Sequence, residues 1–486
     1  MNDPKTPNDS RANSASRGGP DIAPKSSSKP QPTKTYRWMV LIFVSMAMFG
    51  NYYVYDALSP LADVLKQQLG FSDSNIGLLQ AIYSFPNIFT VLIGGVIIDR
   101  IGMRKSTMIF GVLCLLGAII TVLNPPHFLS AAAPSVANAV AAPFGWFSQG
   151  VAADIRTALS NDRLLEMALG RLVFGMGAES LIVAVTAALA KWFRGKELSF
   201  AFGINLTLAR LGSFAALNSP TWAKWAYASW RTPFLIAVAV CTLCVVGALI
   251  YWIMEVYAEG HYALGQASTD KVVLKDLFQF GVSYWYVVAL CIVFYSAIFP
   301  FQTFAVKFFM EAHGTSREFG GFLSSMLTLF AMFATPLFGL MADRIGKRAL
   351  LMAFASLLLI PVYLMMAYTH VSLYVPMAMM GIAFSLIPAV MWPSVAYIVD
   401  QSKLGTAYGL MTMIQNIGLF GFNLLIGWAN DHAQASATNP GGYSLGMWIF
   451  SILGFLGVFF AYLLRRRETG PHGHGLETIT TKSATA

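Results

Sequence analysis

A glutamate and an arginine lie deep inside two consecutive apolar stretches of this chain, Glu179 in the run 167–190 and Arg210 in the run 199–222. At about 1.5 Å of helical rise per residue, each falls near the middle of a segment of bilayer length. An ionisable side chain at that depth costs on the order of 3 kcal/mol, so it is paired or faces a watery cavity, and it marks a functional site by default. The chemistry open to such a pair is recognition. A carboxylate takes an ammonium or carries a proton, and a guanidinium grips a carboxylate through two parallel hydrogen bonds. A zwitterion, with an ammonium at one end and a carboxylate at the other, presents both partners. The plain structural alternative is a salt bridge that staples two neighbouring helices.

The elements that must position these charges are membrane spans. With 486 residues, 56% hydrophobic and 11% charged, and a mean hydropathy of +0.60, the chain is too apolar for a soluble protein and reads as an all-α polytopic membrane protein. Apolar runs fall near 38–60, 75–98, 106–123, 167–190, 199–222, 231–254, 283–305, 318–341, 349–369, 373–398, 405–429 and 443–464, each near the ~20 residues a bilayer requires. Twelve transmembrane helices are therefore expected. Basic clusters precede the first run (Lys34, Arg37) and follow the second (Arg100, Arg104, Lys105), fourth (Lys191, Arg194, Lys196), eighth (Arg344, Lys347, Arg348) and twelfth (Arg465, Arg466, Arg467). All five share one side if every run crosses, which puts both termini in the cytoplasm. The formal charge of +9 belongs to these loops and tails, so no nucleic-acid partner follows. Residues 1–35, rich in Ser, Pro and Lys and without leucine, read as a disordered tail, as do 466–486. The stretch 255–280 is polar and separates a first half, 36–254, from a second, 281–465, and an outer connection spans 124–165. Cys114, Cys241, Cys244 and Cys291 all lie in apolar runs and read as packing residues.

An internal repeat supports the two six-helix halves. Gly95-x-x-x-Asp99-Arg100-x-Gly102-x-Arg104-Lys105 after the second run recurs as Gly339-x-x-x-Asp343-Arg344-x-Gly346-x-Arg348 after the eighth. Glycine allows close helix approach, aspartate pairs with a neighbouring helix end, and the arginines face water and lipid phosphate. That combination suits a gate on the cytoplasmic face. The repeat also mirrors Arg210 near Asn416 and Glu179 near Ser385, so the second half is expected to bring neutral polar groups to the cavity. Tyr52, Tyr55, Tyr295 and Trp392 are candidates for its walls.

The paired loops resemble the signature of the major facilitator superfamily, and the resemblance covers the chain apart from its tails. Arg171-x-x-x-Gly175-x-Gly177-Ala178 is similar to that superfamily's second motif, with Phe174 where a polar residue is usual, and places Arg171 with the gating set. More narrowly, Gly170 to Ser180, Trp192 to Leu198, Leu208 to Ser213, Tyr52-x-x-Tyr55-Asp56, Phe299-Pro300-Phe301, Met391-Trp392-Pro393, Leu404 to Gly409 and Gln415-Asn416 resemble the branch holding lysosomal dipeptide carriers. What this resemblance implies is a facilitative dipeptide uniporter working by alternating access, with Glu179 and Arg210 matching the branch's substrate-contacting acid and base and Gln415 and Asn416 joining them.

Two other readings compete. A proton-coupled organic-anion carrier would use Arg210 for the substrate carboxylate and Glu179 for the proton, and a non-transporting scaffold or receptor would keep the fold for partner binding. Catalysis is not expected, because no nucleophile–base pair, metal cluster or phosphate-binding loop appears, and neither ATP nor any cofactor is called for. The expected partners are a small-molecule substrate and the lipid bilayer. Without an acidic dileucine signal or an outward-facing glycosylation sequon, a plasma membrane, specifically a bacterial inner membrane, is expected rather than a lysosomal one.

Overall fold

The computed structural model describes residues 29–142, 149–193, 197–263, 280–400, 403–471 and 473–480. Twelve long helices run through them: α1 (Lys34–Asp56), α2 (Asp73–Ile101), α3 (Met103–Ile120), α4 (Asp162–Phe193), α5 (Leu198–Leu217), α6 (Arg231–His261), α7 (Val282–His313), α8 (Arg317–Ile345), α9 (Arg348–Tyr368), α10 (Tyr374–Ile398), α11 (Leu404–His432) and α12 (Ser444–Glu468). Eleven segments among the described residues are long and apolar enough to cross a membrane, and α2, with 29 residues, is the remaining long helix. Three of the starts carry a described side-chain cap, Thr33 at α1 and the serines that precede α2 and α8. Ser72 accepts a hydrogen bond from Asn75 N at the start of α2 and Ser316 from Phe319 N at the start of α8, the same device at repeat-related positions.

Each half has its own core. In the first, α1 packs on α5 and α6, and α4 on α2 and α3; in the second, α12 packs on α7 and α9, and α10 on α8 and α9. Between the halves, α2 crosses α11 and α5 crosses α8. The first of these crossings depends on glycine. A Cβ at Gly77 would stand 2.4 Å from the Asn423 carbonyl oxygen, and one at Gly427 would stand 2.5 Å from that of Asp73. Backbone therefore lies on backbone, the packing that small residues allow between membrane helices. Gly77→Val is expected to wedge α2 from α11, so that a cysteine at position 74 becomes reactive to an impermeant thiol reagent from outside; unchanged labelling would count against this crossing as the closure.

Polar links between the halves lie at the end of the bundle opposite the basic clusters, the outer end by the positive-inside rule. Lys307 Nζ donates to both carboxylate oxygens of Asp73 at 2.5 and 2.7 Å. Asp431 accepts from Asp73 N and Ser74 N at 2.9 and 2.7 Å. Arg317 pairs with Asp63, Lys224 pairs with Glu318 at 2.6 Å, and the Ser59 hydroxyl donates to Gln302 O at 2.5 Å. At the basic end the described ion pairs stay within one half: Lys34–Glu197, Arg104–Glu259 and Lys191–Glu255 in the first, Arg348–Asp343 and Arg465–Glu477 in the second. Among the described residues the ion pairs between the halves thus lie at the end opposite the basic clusters.

The structure differs from the sequence reading at several edges. Helix α6 continues past Glu255 to His261, because Glu255 is buried against Lys191 at 2.5 Å and belongs to the first half's packing; residues 264–279 of the expected linker lie outside the described residues, as do Arg194 and Lys196. The outer connection carries two helices, His127–Ala141 and Gln149–Ser160, that pack on one another. The C-terminal tail is ordered in part. Leu476 is fully buried, Lys347 N and Arg348 N donate to the carbonyls of Glu477 and Leu476, and the Glu477 carboxylate accepts from Ala349 N. The first turn of α9 has orphan N–H groups, and the tail supplies their acceptors.

Candidate functional site

Helices of both halves bring the predicted site residues together around a group of aromatic rings. Tyr52, Tyr55 and Asp56 come from α1, Tyr83 from α2, Glu179 from α4 and Arg210 from α5, facing Phe299 of α7 and Phe384 of α10. A chain of ring contacts leads from the acid to the base. The Tyr83 hydroxyl donates to Glu179 Oε1 at 3.3 Å, and the Tyr83 ring meets Tyr55 edge-on at 4.8 Å. Tyr55 meets Phe299 of the other half at 6.1 Å, Phe299 meets Phe384 at 5.9 Å, and Phe384 carries the Arg210 guanidinium 5.1 Å above its ring. On its other side Arg210 lies 5.7 Å from Tyr52. Two aromatic faces, one from each half, hold the cation by contacts worth about 0.5–2 kcal/mol each.

Glu179 and Arg210 do not form an ion pair. Glu179 has the neutral Tyr83 hydroxyl as its described hydrogen-bond partner, and Arg210 Nε is buried without one. Both side chains keep partial exposure. A staple would join the two directly within about 4 Å; instead they stand at the two ends of a run of aromatic rings, Glu179 beside Tyr83 and Arg210 between Tyr52 and Phe384. Such an arrangement can hold a molecule that carries opposite charges at its two ends.

The remaining predicted residues fall into two groups. Tyr295 and Trp392 support the wall from within the second half: Trp392 Nε1 donates to the Tyr295 hydroxyl at 3.0 Å, Tyr295 stacks on Phe299 at 5.6 Å, and Tyr408 donates to Trp392 O at 3.1 Å. Gln415 Oε1 accepts from the Cys291 thiol at 3.6 Å, while Asn416 Nδ2 donates to Thr412 O of its own helix at 3.0 Å and leaves Oδ1 unpartnered. Ser385 donates to Gly381 O at 2.8 Å and so bonds its own helix. The gating set is dispersed in this closed-outside arrangement. Gly95 and Gly339 have open space where a Cβ would stand, Arg100 and Arg344 are exposed, and Arg104 and Arg348 pair with Glu259 and Asp343 inside their own halves; the side chain of Asp99 lies outside the described residues. Arg171 lies apart from them in this arrangement. It is 2% exposed, donates to Leu79 O, Val54 O and Gln80 Oε1, and lies over Tyr83 and Phe174, fastening α1, α2 and α4 within one half.

Sequence reasoning did not place Tyr83, Phe384 or Asp56 among the site residues, although Asp56 closes the Tyr52-x-x-Tyr55-Asp56 motif. Asp56 stands in an apolar run as plainly as Glu179 does, and Phe384 is the neighbour of the Ser385 to which the repeat pointed, so both signals were present. Tyr83 carries none: its position opposite Glu179 depends on how α2 lies against α4.

Comparison with known proteins follows the same lines. The family description Major Facilitator Superfamily matches residues 44–309 and 288–484. The chain is 32% identical over 395 residues to the lysosomal dipeptide transporter MFSD1 of Danio rerio, covering 79% of this chain and 78% of that protein, and 29% identical to its namesake in Homo sapiens over 95% of both. Among solved structures, a bacterial homolog to the human lysosomal transporter Spinster, in an inward-facing and unoccupied conformation, superposes with a TM-score of 0.60 at 16% identity, over 90% of this chain and 98% of that one. The nucleoside transporter NupG gives 0.61 at 12% identity, over 88% and 99%.

Proposed function

Because the chain belongs to the Major Facilitator Superfamily and is a membrane transporter rather than an enzyme, we propose that it is a facilitative dipeptide uniporter, its two halves, 36–254 and 281–465, rocking about the central cavity. Glu179 takes the peptide ammonium, Arg210 the carboxylate, and the rings of Tyr52, Tyr55, Phe299 and Phe384 enclose the backbone between them. The observation that carries this reading is the separation of Glu179 from Arg210, which leaves two opposite charges at the ends of one run of aromatic rings without an ion pair between them. The naming of the MFSD1 relatives as dipeptide transporters supports the same substrate class. Alternating access fits a molecule whose described ion pairs between the halves lie at the end opposite the basic clusters, the loops Gly95–Arg104 and Gly339–Arg348 closing when that end opens. The lack of a glycosylation sequon on outward loops supports a plasma membrane, specifically a bacterial inner membrane, as its location.

Ligand-induced thermal shift of the purified protein tests the substrate class, since a ligand that binds the folded state raises its melting temperature. Ala-Ala is expected to stabilise it, and alanine or acetate to do so far less; a simple carboxylate that works as well as the dipeptide would overturn the proposal. Glu179→Gln is expected to raise KM for Ala-Ala about tenfold, the amide accepting a hydrogen bond without the ammonium's counter-charge. An unchanged KM would remove Glu179 from the site.

A further inference from the structure

The segment that follows α12 turns back and lies across the second gating loop. Its first anchor is the Glu468 carboxylate, which accepts from Ser283 Oγ at the start of α7 at 2.6 Å and from His474 N at 2.7 Å. Leu476, 0% exposed, plugs the segment into the second half's core. Beyond it, Arg348 Nη1 donates to Ile479 O at 2.8 Å, and the Glu477 carboxylate accepts from Ala349 N at 2.8 Å and lies 3.5 Å from Arg465 Nε. Arg348 closes the repeated Gly-x-x-x-Asp-Arg-x-Gly-x-Arg pattern. Its guanidinium, buried with the rest of the side chain, is shared between this segment, Asp343 of its own half at 2.8 Å and the Tyr397 ring at 4.6 Å.

The two halves differ here although their loops repeat. A Cβ at Gly346 would stand 3.1 Å from Glu477 O and 3.4 Å from Ile479 O, whereas one at the equivalent Gly102 would meet nothing within 4 Å among the described residues. One loop is covered by the chain's own C-terminal segment, and the other is bare at the matching glycine. The covered groups are the ones a gating loop would use. Helix-start N–H groups and a guanidinium are donors that can hold acceptors of the opposite half, and here the segment supplies those acceptors from within the same half.

We propose that residues 473–480 form a strap that keeps the second gating loop engaged within its own half and must leave it before the two loops can close together. The proposal rests on the alternating-access reading above and does not depend on the substrate. Its test uses purified protein with a cysteine at Thr303, which is buried in this arrangement and becomes reactive when the outer end opens. Deleting residues 471–486 is expected to raise the rate of labelling by a polar thiol reagent roughly fivefold, since loss of a contact made in one state shifts the balance toward the other. A synthetic peptide of those residues is expected to lower the rate again, and the same peptide carrying Leu476→Asp to leave it raised. If the segment only packs the end of the bundle, the shortened protein melts lower and labels at the wild-type rate; that result overturns the strap. Should the shortened chain not melt cooperatively, Leu476→Asp in the full chain puts a carboxylate in the buried seat and is expected to raise labelling in the same way, an unchanged rate overturning the strap equally. A cysteine at Thr303 that stays unreactive even when Lys307→Met is combined with Gly77→Val would instead sink the alternating-access reading itself.

Discussion

Arg210→Lys is expected to reduce dipeptide transport roughly a hundredfold, about 3 kcal/mol in binding terms, with little change in melting temperature. Lysine preserves the charge but offers a compact ammonium in place of a planar fork, so it loses both the paired hydrogen bonds to a carboxylate and the face-to-face fit between Tyr52 and Phe384. A structural role for the cation predicts the reverse order of effects, with stability lost first and transport following it. The comparison is sharpened by the double variant Glu179→Leu with Arg210→Met, which removes both charges and keeps apolar volume. If the two residues only held helices together, that variant would fold and transport. With the charges acting as the two poles of the substrate site, it folds and transports nothing. Uptake into liposomes and thermal melting of the same preparations separate the two cases.

Lys307→Met is expected to weaken the outer closure by roughly 3 to 5 kcal/mol. Lys307 is 0% exposed and its partner Asp73 1% exposed, so the variant would leave a carboxylate buried between the halves with its principal cation gone. Glu311, 3.5 Å from Lys307 and engaged by the Tyr443 hydroxyl at 2.5 Å, loses the same counter-charge. Opening the outer end rehydrates both carboxylates, so the population shifts toward the outward-open form. A cysteine at Thr303, buried in the closed arrangement, then reacts with an impermeant reagent from outside. Adding Asp73→Asn should restore part of the closure, because an amide tolerates burial far better than a lone carboxylate. Labelling and melting that do not change in Lys307→Met would show that the glycine crossing of α2 and α11 holds the outer end by itself.

Much of this molecule is legible as sequence because a membrane makes the relevant energies large and local. Twelve apolar runs of bilayer length and a duplicated Gly-x-x-x-Asp-Arg loop determine the helices and the two halves, and five basic clusters set the expected orientation. Glu179 and Arg210 stand out for the same reason, since a charge within an apolar run needs a justification wherever the run is placed. What the sequence cannot express is which side chains meet. Lys307 and Asp73 lie 234 positions apart and each falls at the edge of its apolar run, where a charge attracts no notice, yet together they fasten the outer end. Arg171 sits in a motif that suggests gating and is instead bonded within its own half, and Glu179 finds Tyr83 rather than Arg210. These outcomes depend on the rotation of each helix about its axis and on its crossing point with its neighbours. Contacts such as Gly77 against Asn423 set both, and they exist only once the helices are packed.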